Sequence, residues 1–307
     1  MKEEFILELL ELNKRYNDYE ALKDINLKIP KGVIYGFIGE NGAGKTTTMN
    51  IICGLKKASS GKVIFDGKEI GYDEERKEIG YLPQHPKMYP YMRVKEYLNF
   101  ILSLSEVNEN NFTADELIEI VGLSHAENRK VKALSGGMLQ RLGIAVAISN
   151  NPKLVILDEP TSALDPEGRK EVMDIIKKLK QKGMTIFFST HLLTDAENIC
   201  DYITIIKEGE LVISTTIEKI KNNNYELHYE VKFGSEVEVK DTPKFIKGIK
   251  RETDKIIFLV DKELDDEREM FEYLLTLRSP IKSFVKKESS LEDIFFKLTK
   301  GGENNDL

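Results

Sequence analysis

Cysteine is scarce. Cys53 and Cys200 are the only two in 307 residues; each sits beside apolar neighbours, and their separation fits no zinc-ligand pairing. They read as buried, reduced thiols. Histidine is nearly as rare, and His85, His125, His191 and His228 lack the close pairing that metal sites use, so a structural metal is not expected. Long apolar runs are missing too: none approaches the ~20 residues that cross a bilayer. The start, Met1-Lys2-Glu3-Glu4, is acidic where a secretory signal is basic and then apolar, so the chain is expected in the cytosol. Positive charge is in deficit, 45 Lys and Arg against 52 Asp and Glu, for a formal net charge of -7. A nucleic-acid backbone draws on clustered Lys and Arg, so no nucleic-acid partner is expected.

What remains is ordinary globular material, 41% hydrophobic and 32% charged, long enough for a medium domain and a small one. Phe5 to Leu12 and Ile25 to Ile29 read as antiparallel strands; after the Pro30-Lys31-Gly32 turn, Val33 to Ile38 reads as a buried strand. A glycine loop and a helix over Lys45 to Leu55 follow. Val63 to Phe65 and Ile79 to Leu82 are further strands. The middle segment, about residues 85–150, is mostly helical, with Thr113 and Glu116 as a capping box and Gly122 as a stop. Beyond it come a buried strand over Leu154 to Leu157, a helix capped by Asp165 with Pro166 at its first position, and a strand over Met184 to Ser189. Thr194 and Glu197 are expected to cap the next helix, and a hairpin is expected around Glu208-Gly209. Strands alternating with helices imply an α/β fold with a parallel sheet.

Asn222-Asn223-Asn224 marks a boundary, dividing the chain into residues 1–221 and a small α+β domain over 222–307. In the latter, Leu227 to Phe233, Ile256 to Val260 and Ile281 to Val285 are strand-like, while Glu267 to Leu277 and Leu291 to Leu298 are helix-like. The polar tail, Gly301 to Leu307, is expected to fray.

The chemistry is concentrated in two motifs. Gly39-Glu40-Asn41-Gly42-Ala43-Gly44-Lys45-Thr46 matches the phosphate-binding loop, whose glycines let successive backbone N–H groups converge on phosphate oxygens. Lys45 would reach the β and γ phosphates and Thr46 would place its hydroxyl on Mg²⁺. The helix opening near Lys45 turns its positive dipole end to the anion. Gly39, Asn41, Gly42, Ala43, Gly44, Lys45, Thr46 and Thr47 are therefore candidate nucleotide contacts. Leu154-Val155-Ile156-Leu157-Asp158-Glu159 is an apolar strand ending in two carboxylates at the sheet's carboxyl edge. Asp158 would hold Mg²⁺, and Glu159 would polarise or accept a proton from the attacking water. Two acids at a strand end also occur as plain solvated ends; the phosphate loop gives them their meaning.

A third segment, Leu134-Ser135-Gly136-Gly137-Met138 followed by Gln140-Arg141, resembles the LSGGQ signature of ABC-type ATPases, with Met138 in place of Gln. Ser135, Gly136 and Gly137 offer a hydroxyl and bare N–H groups to a γ-phosphate, and Ser135 is also a natural helix N-cap. The resemblance implies a P-loop core built from a mixed sheet, an antiparallel N-terminal subdomain and a helical subdomain. It also implies roles for residues that carry no signal alone. Tyr16 resembles the aromatic that stacks on adenine, with Tyr19 close enough to be the alternative. Gln84 resembles the glutamine that senses metal and water. Ser162-Ala163-Leu164-Asp165 resembles the loop that crosses the dimer interface, and His191 the switch histidine that contacts γ-phosphate.

The likeness is dense from Leu7 to about Ile213. The ending Ser290-Leu291-Glu292-Asp293-Ile294-Phe295 and the C-terminal domain are most similar to ATPases of bacterial drug, peptide or sodium exporters. The implied ligands are ATP and Mg²⁺. The implied partners are a second ATPase chain, itself or a homologue, in an ATP-sandwich dimer, and integral membrane permease subunits at the inner face of the cell membrane. An importer ATPase and a soluble member of the family are the rival readings. A GTPase switch is disfavoured because the chain has no Asn-Lys-x-Asp guanine-reading motif and because the signature segment would go unexplained.

Overall fold

The computed structural model describes residues 4–104, 112–224, 227–235, 237–239, 241–260 and 267–288. The chain divides into two compact units, Met1–Ile217 and Glu218–Leu307.

The first unit is built on two sheets. Strands β1 (Phe5–Tyr16) and β2 (Tyr19–Pro30) form an antiparallel hairpin, turned by Asn17 at φ 50° between the paired Tyr16 and Tyr19. β4 (Ser60–Phe65) pairs with β1, and the two-residue β5 (Lys68–Glu69) folds back on it. The second sheet has the order β10-β9-β3-β8-β7-β6. In it β3 (Ile34–Ile38), β6 (Ile79–Leu82), β7 (Leu154–Leu157), β8 (Thr185–Thr190) and β9 (Tyr202–Lys207) run parallel, while β10 (Glu210–Thr216) is an antiparallel edge. Every residue of β3, β7 and β8 is buried, as expected of parallel strands covered on both faces.

Helix α1 (Lys45–Ile52) follows β3, and its Met49 and Ile52 join Leu9, Ile25, Phe37, Leu154 and Phe187 in one core between the two sheets. Helices α2 (Val94–Ser103), α3 (Ala114–Ile120) and α4 (Gly136–Ala147) form the helical segment; α5 (Pro166–Gln181) and α6 (Leu193–Ile199) return to the parallel sheet. Among the described residues no helix is long and apolar enough to cross a membrane.

Helix α4 lies close against β6. A Cβ built on Gly80 would stand 1.9 Å from the carbonyl oxygen of Ala147, so only glycine lets the helix end approach the strand. Gly80→Ala is expected to destabilise the chain by about 2 kcal/mol, because backbone on both sides must give. A urea midpoint equal to that of the parent would contradict this packing.

The second unit is a four-stranded antiparallel sheet of order β12-β13-β11-β14, with β11 (Leu227–Phe233), β12 (Ile246–Arg251), β13 (Ile256–Val260) and β14 (Ile281–Glu288). Tyr229, Val231 and Phe258 of the sheet pack on Met270 and Leu274 of α8 (Glu267–Thr276).

Several sequence expectations change. The Asn222-Asn223-Asn224 run is the last turn of helix α7 (Ile217–Asn224), and the units divide between Ile217 and Glu218. Thr194 does not cap α6: it lies inside the helix, whose N-cap is Leu192 with no side-chain cap. The reason is local. The Thr190 hydroxyl already accepts the Leu192 N–H at 2.9 Å, which brings the chain into helical turn before Thr194 is reached. The helix expected over Leu291 to Leu298, the Ser290-to-Phe295 ending and the tail lie outside the described residues.

Candidate active site

Four neighbouring strands of the parallel sheet, β3, β8, β7 and β6, end at the same edge, and the residues that follow them make the site. After β3 the chain enters the glycine loop. Gly44 is the N-cap of α1 at φ 113°, a conformation that side-chain-bearing residues avoid, and a Cβ there would stand 2.7 Å from Leu22 Cδ2. No acidic residue occupies the first turn of α1, so its N–H groups and dipole are free for an anion.

Lys45 is buried and folds back over this loop. Its Nζ donates to the carbonyls of Gly39 at 2.6 Å and Glu40 at 3.1 Å, and stands 3.1 Å from Glu159 Oε1. Glu159 itself takes a positive φ of 48°, uncommon for a glutamate, which turns the chain sharply out of β7. Its other oxygen, Oε2, lies 3.1 Å from His191 Nδ1 and accepts from Gln84 Nε2 at 3.5 Å. Lys45, Gln84, Glu159 and His191, spread over 147 positions of sequence from 45 to 191, thus meet around one carboxylate.

Sequence reasoning missed Ser189, which is fully buried and organises both acids. Its Oγ accepts the Glu159 backbone N–H at 2.8 Å and donates to Asp158 Oδ1 at 2.6 Å. The available signal was its position at the carboxyl end of β8, two residues before His191. Asp158 is fully buried, and burial holds its carboxyl above the usual carboxylate range against the hydrogen bond from Ser189. Its second oxygen, Oδ2, is buried without a partner. An unpartnered oxygen on a buried carboxylate that the Thr46 side chain of α1 also approaches suits a hard divalent cation that takes its other ligands from phosphate and water. Among the described residues no group of three or more His, Cys, Asp or Glu could hold a metal alone.

A cleft of about 460 Å³ opens over the loop, lined by Tyr16, Tyr19, Asn41, Gly42, Gly44, Lys45, Thr46, Thr47, Gln84 and Glu159 among others. Both tyrosines reach it, the Tyr19 hydroxyl 3.5 Å from the Gly42 carbonyl and the Tyr16 ring beneath the ammonium of Lys14 at 4.7 Å. Gly39 and Ala43 do not line it. Gly39 contributes through its carbonyl to Lys45, and Ala43 is buried, its carbonyl accepting from Gly209 N–H at 3.0 Å.

The signature segment also stands apart from that cleft. Ser135 is the N-cap of α4, its Oγ accepting the Met138 N–H at 3.3 Å. A Cβ on Gly136 would meet nothing within 4 Å, so its backbone is open to a ligand from outside. Met138, where the signature has Gln, is 8% exposed. The departure therefore falls on a packed position, and the outward chemistry of the segment belongs to Ser135, Gly136 and Gly137.

Comparison with known proteins gives a consistent answer. Residues 22–162 match the ABC transporter family model, and residues 216–299 match the C-terminal domain of DrrA1-3-like ATP-binding proteins. The chain is 33% identical over 297 residues to the uncharacterized ABC transporter ATP-binding protein YxlF of Bacillus subtilis (strain 168), covering 95% of this chain and 99% of that one. It is 34% identical over 302 residues to the bacitracin transport ATP-binding protein BcrA of Bacillus licheniformis, covering 97% and 98%. Among solved structures, the ATP-binding cassette MJ0796, a dimer in a post-hydrolysis state bound to ADP and Pi, superposes with a TM-score of 0.62 at 29% identity, covering 69% of this chain and 98% of that one.

Proposed function

The chain belongs to the ABC transporter ATP-binding proteins and is the ATP-hydrolysing subunit of such a transporter; we propose that it drives export, using Mg²⁺ and a second ATPase chain to complete its site. The observation that carries the reading is the meeting of Lys45, Gln84, Glu159 and His191 at one carboxylate beside the phosphate loop.

In this reading the α1 N–H groups and Lys45 bind the phosphates, which requires Lys45 to exchange Glu159 for a phosphate oxygen. Glu159, released from the ammonium, accepts the proton of the attacking water. His191 turns from Glu159 toward the γ-phosphate. Mg²⁺, held by Asp158 and Thr46, would offset phosphate charge. Tyr16 or Tyr19 stacks on the adenine. Ser135, Gly136 and Gly137 lie outside the phosphate cleft of their own chain, so they serve the nucleotide of a partner ATPase, another copy or a homologue. The dimeric MJ0796 cassette supports that arrangement. The near full-length likeness to BcrA, named for bacitracin transport, supports outward movement of a peptide or drug. Phosphate release that requires Mg²⁺ and stops with EDTA is the expected result; hydrolysis indifferent to EDTA would overturn the role given to Asp158.

The membrane subunits would dock on the loop after Gln84. His85 to Met92 carries Tyr89 at 58% and Tyr91 at 73% exposure, residue types that interfaces enrich. Tyr89 rests edge-on against Tyr97 and Phe100, and Tyr91 lies under Lys132, so both rings are held out on a fixed surface. Met92 is half-buried and belongs partly to the packing. Replacing Tyr89 and Tyr91 by Ser is expected to weaken co-purification with the membrane subunits while ATP binding persists. Unchanged assembly and transport would move docking elsewhere.

A further inference from the structure

Beyond the ion pair and hydrogen bonds at Glu159, a second buried contact joins the same two loops. The Thr161 hydroxyl donates to Asp195 Oδ2 at 2.7 Å. Both side chains are inside the protein, Thr161 1% and Asp195 5% exposed. A buried carboxylate is costly unless hydrogen bonds answer it, and the Thr161 hydroxyl answers this one.

Each end of the bond belongs to a turn that is stiff in itself. On one side, Ser162 donates to the Glu159 carbonyl from both its backbone N, at 3.2 Å, and its Oγ, at 3.0 Å. Leu164 N–H reaches the Thr161 carbonyl at 3.3 Å, and Ala163 takes a positive φ of 63°. On the other side, Thr190 Oγ1 accepts Leu192 N–H at 2.9 Å, and Asp195 N–H donates to the Leu192 carbonyl at 3.1 Å. His191 stands at the crest of that second turn. Past the strand ends, where Ser189 Oγ already holds the Glu159 N–H, two side-chain rungs join the turns themselves, Glu159 to His191 and Thr161 to Asp195.

On the proposed function the first rung is given up during turnover. In the proposed reaction His191, which meets Glu159 through Nδ1 at 3.1 Å, turns to the γ-phosphate and Glu159 takes up the attacking water. We propose that the Thr161–Asp195 hydrogen bond is the rung that remains, making these two positioning residues that hold the His191 turn in register with Glu159 during hydrolysis. The inference rests on the ATPase reading above. Neither residue lines the phosphate cleft; each acts through the loop it anchors, and displacement of about 1 Å at such a distance is enough to slow chemistry by orders of magnitude.

The test is a mutant cycle on the full chain, with rates divided by the number of ATP-binding sites titrated in each preparation, so that misfolded protein does not count as slow protein. Thr161→Val is expected to lower kcat about tenfold or more, with the KM for ATP within about twofold of the parent. Thr161→Ser keeps the donor and is expected to restore kcat to within about twofold. Asp195→Ala strands only a neutral hydroxyl, which is less costly than a stranded carboxylate, and carries the test if Thr161→Val does not fold. It is expected to match Thr161→Val, and the double variant to be no slower than either single one. A kcat within about twofold of the parent for either disrupted variant, or losses that multiply in the double variant, overturns the proposal. A parent chain without MgATP hydrolysis would instead overturn the function reading itself.

Discussion

Replacing Glu159 by Gln is expected to cut steady-state phosphate release by about a hundredfold or more, a loss of about 2.7 kcal/mol or more in transition-state stabilisation, while ATP still binds. Gln occupies the same volume and keeps an oxygen within reach of His191, so the buried environment survives. What it lacks is the basic oxygen that takes a proton from water. It also lacks the negative charge that holds Lys45 at 3.1 Å, so the ammonium is freer to meet phosphate and affinity for ATP should be equal or higher. Near-parental release by this variant, measured per bound nucleotide, would remove Glu159 from catalysis.

Lys45→Ala acts on the other partner of the same pair and should fail earlier in the cycle. The parent ammonium is buried among two carbonyls and one carboxylate, all of which are anchored by the loop and by β7. Truncation removes the cation that answers the phosphates and leaves Glu159, itself 5% exposed, as a buried anion facing an incoming anion. Removing one member of such a pair costs about 2–5 kcal/mol. Affinity for ATP should therefore fall by about a hundredfold or more, and turnover with it. Unaltered binding, measured by titration with a fluorescent ATP analogue, would mean that the phosphates sit elsewhere.

These two variants differ because one sequence motif supplies binding and the other chemistry, and both motifs were legible for physical reasons. A phosphate loop needs glycines at fixed intervals, and a carboxylate pair at a sheet edge needs the apolar strand before it; both requirements are local and leave a pattern. The same holds for the Asp165 cap, whose Oδ1 accepts the Gly168 N–H at 2.9 Å, for the Thr113 and Glu116 capping box, and for the turn at Glu208 and Gly209, both at positive φ.

Signals failed where structure depends on partners distant in sequence. The β1–β2 hairpin runs to Tyr16 and Tyr19, past the point where apolar alternation ends, because pairing carries it on through irregular register at Leu9 to Leu12. β12 is an edge strand of mostly exposed residues and offers no alternation, while its Gly248 and lysines suggest a loop. Ser189 and Thr161 are small hydroxyl residues whose importance lies in what they meet across 30 or more positions: Ser189 bonds Asp158 31 residues away, and Thr161 bonds Asp195 34 residues away. Gln84 and His191 carried no signal of their own; only the family resemblance singled them out, and the fold then set both against Glu159.

Ser135, Gly136 and Gly137 do not line the phosphate cleft of their own chain, and in the proposed function they meet a γ-phosphate across two chains. The Glu159→Gln protein offers the direct measurement, because ATP binds but is not consumed and the closed state should accumulate. In analytical ultracentrifugation with ATP and Mg²⁺ this variant is expected to sediment as a dimer holding nucleotide, and as a monomer when nucleotide is left out. A monomer under both conditions, with ATP shown to be bound, would contradict a site completed by a second copy of this chain.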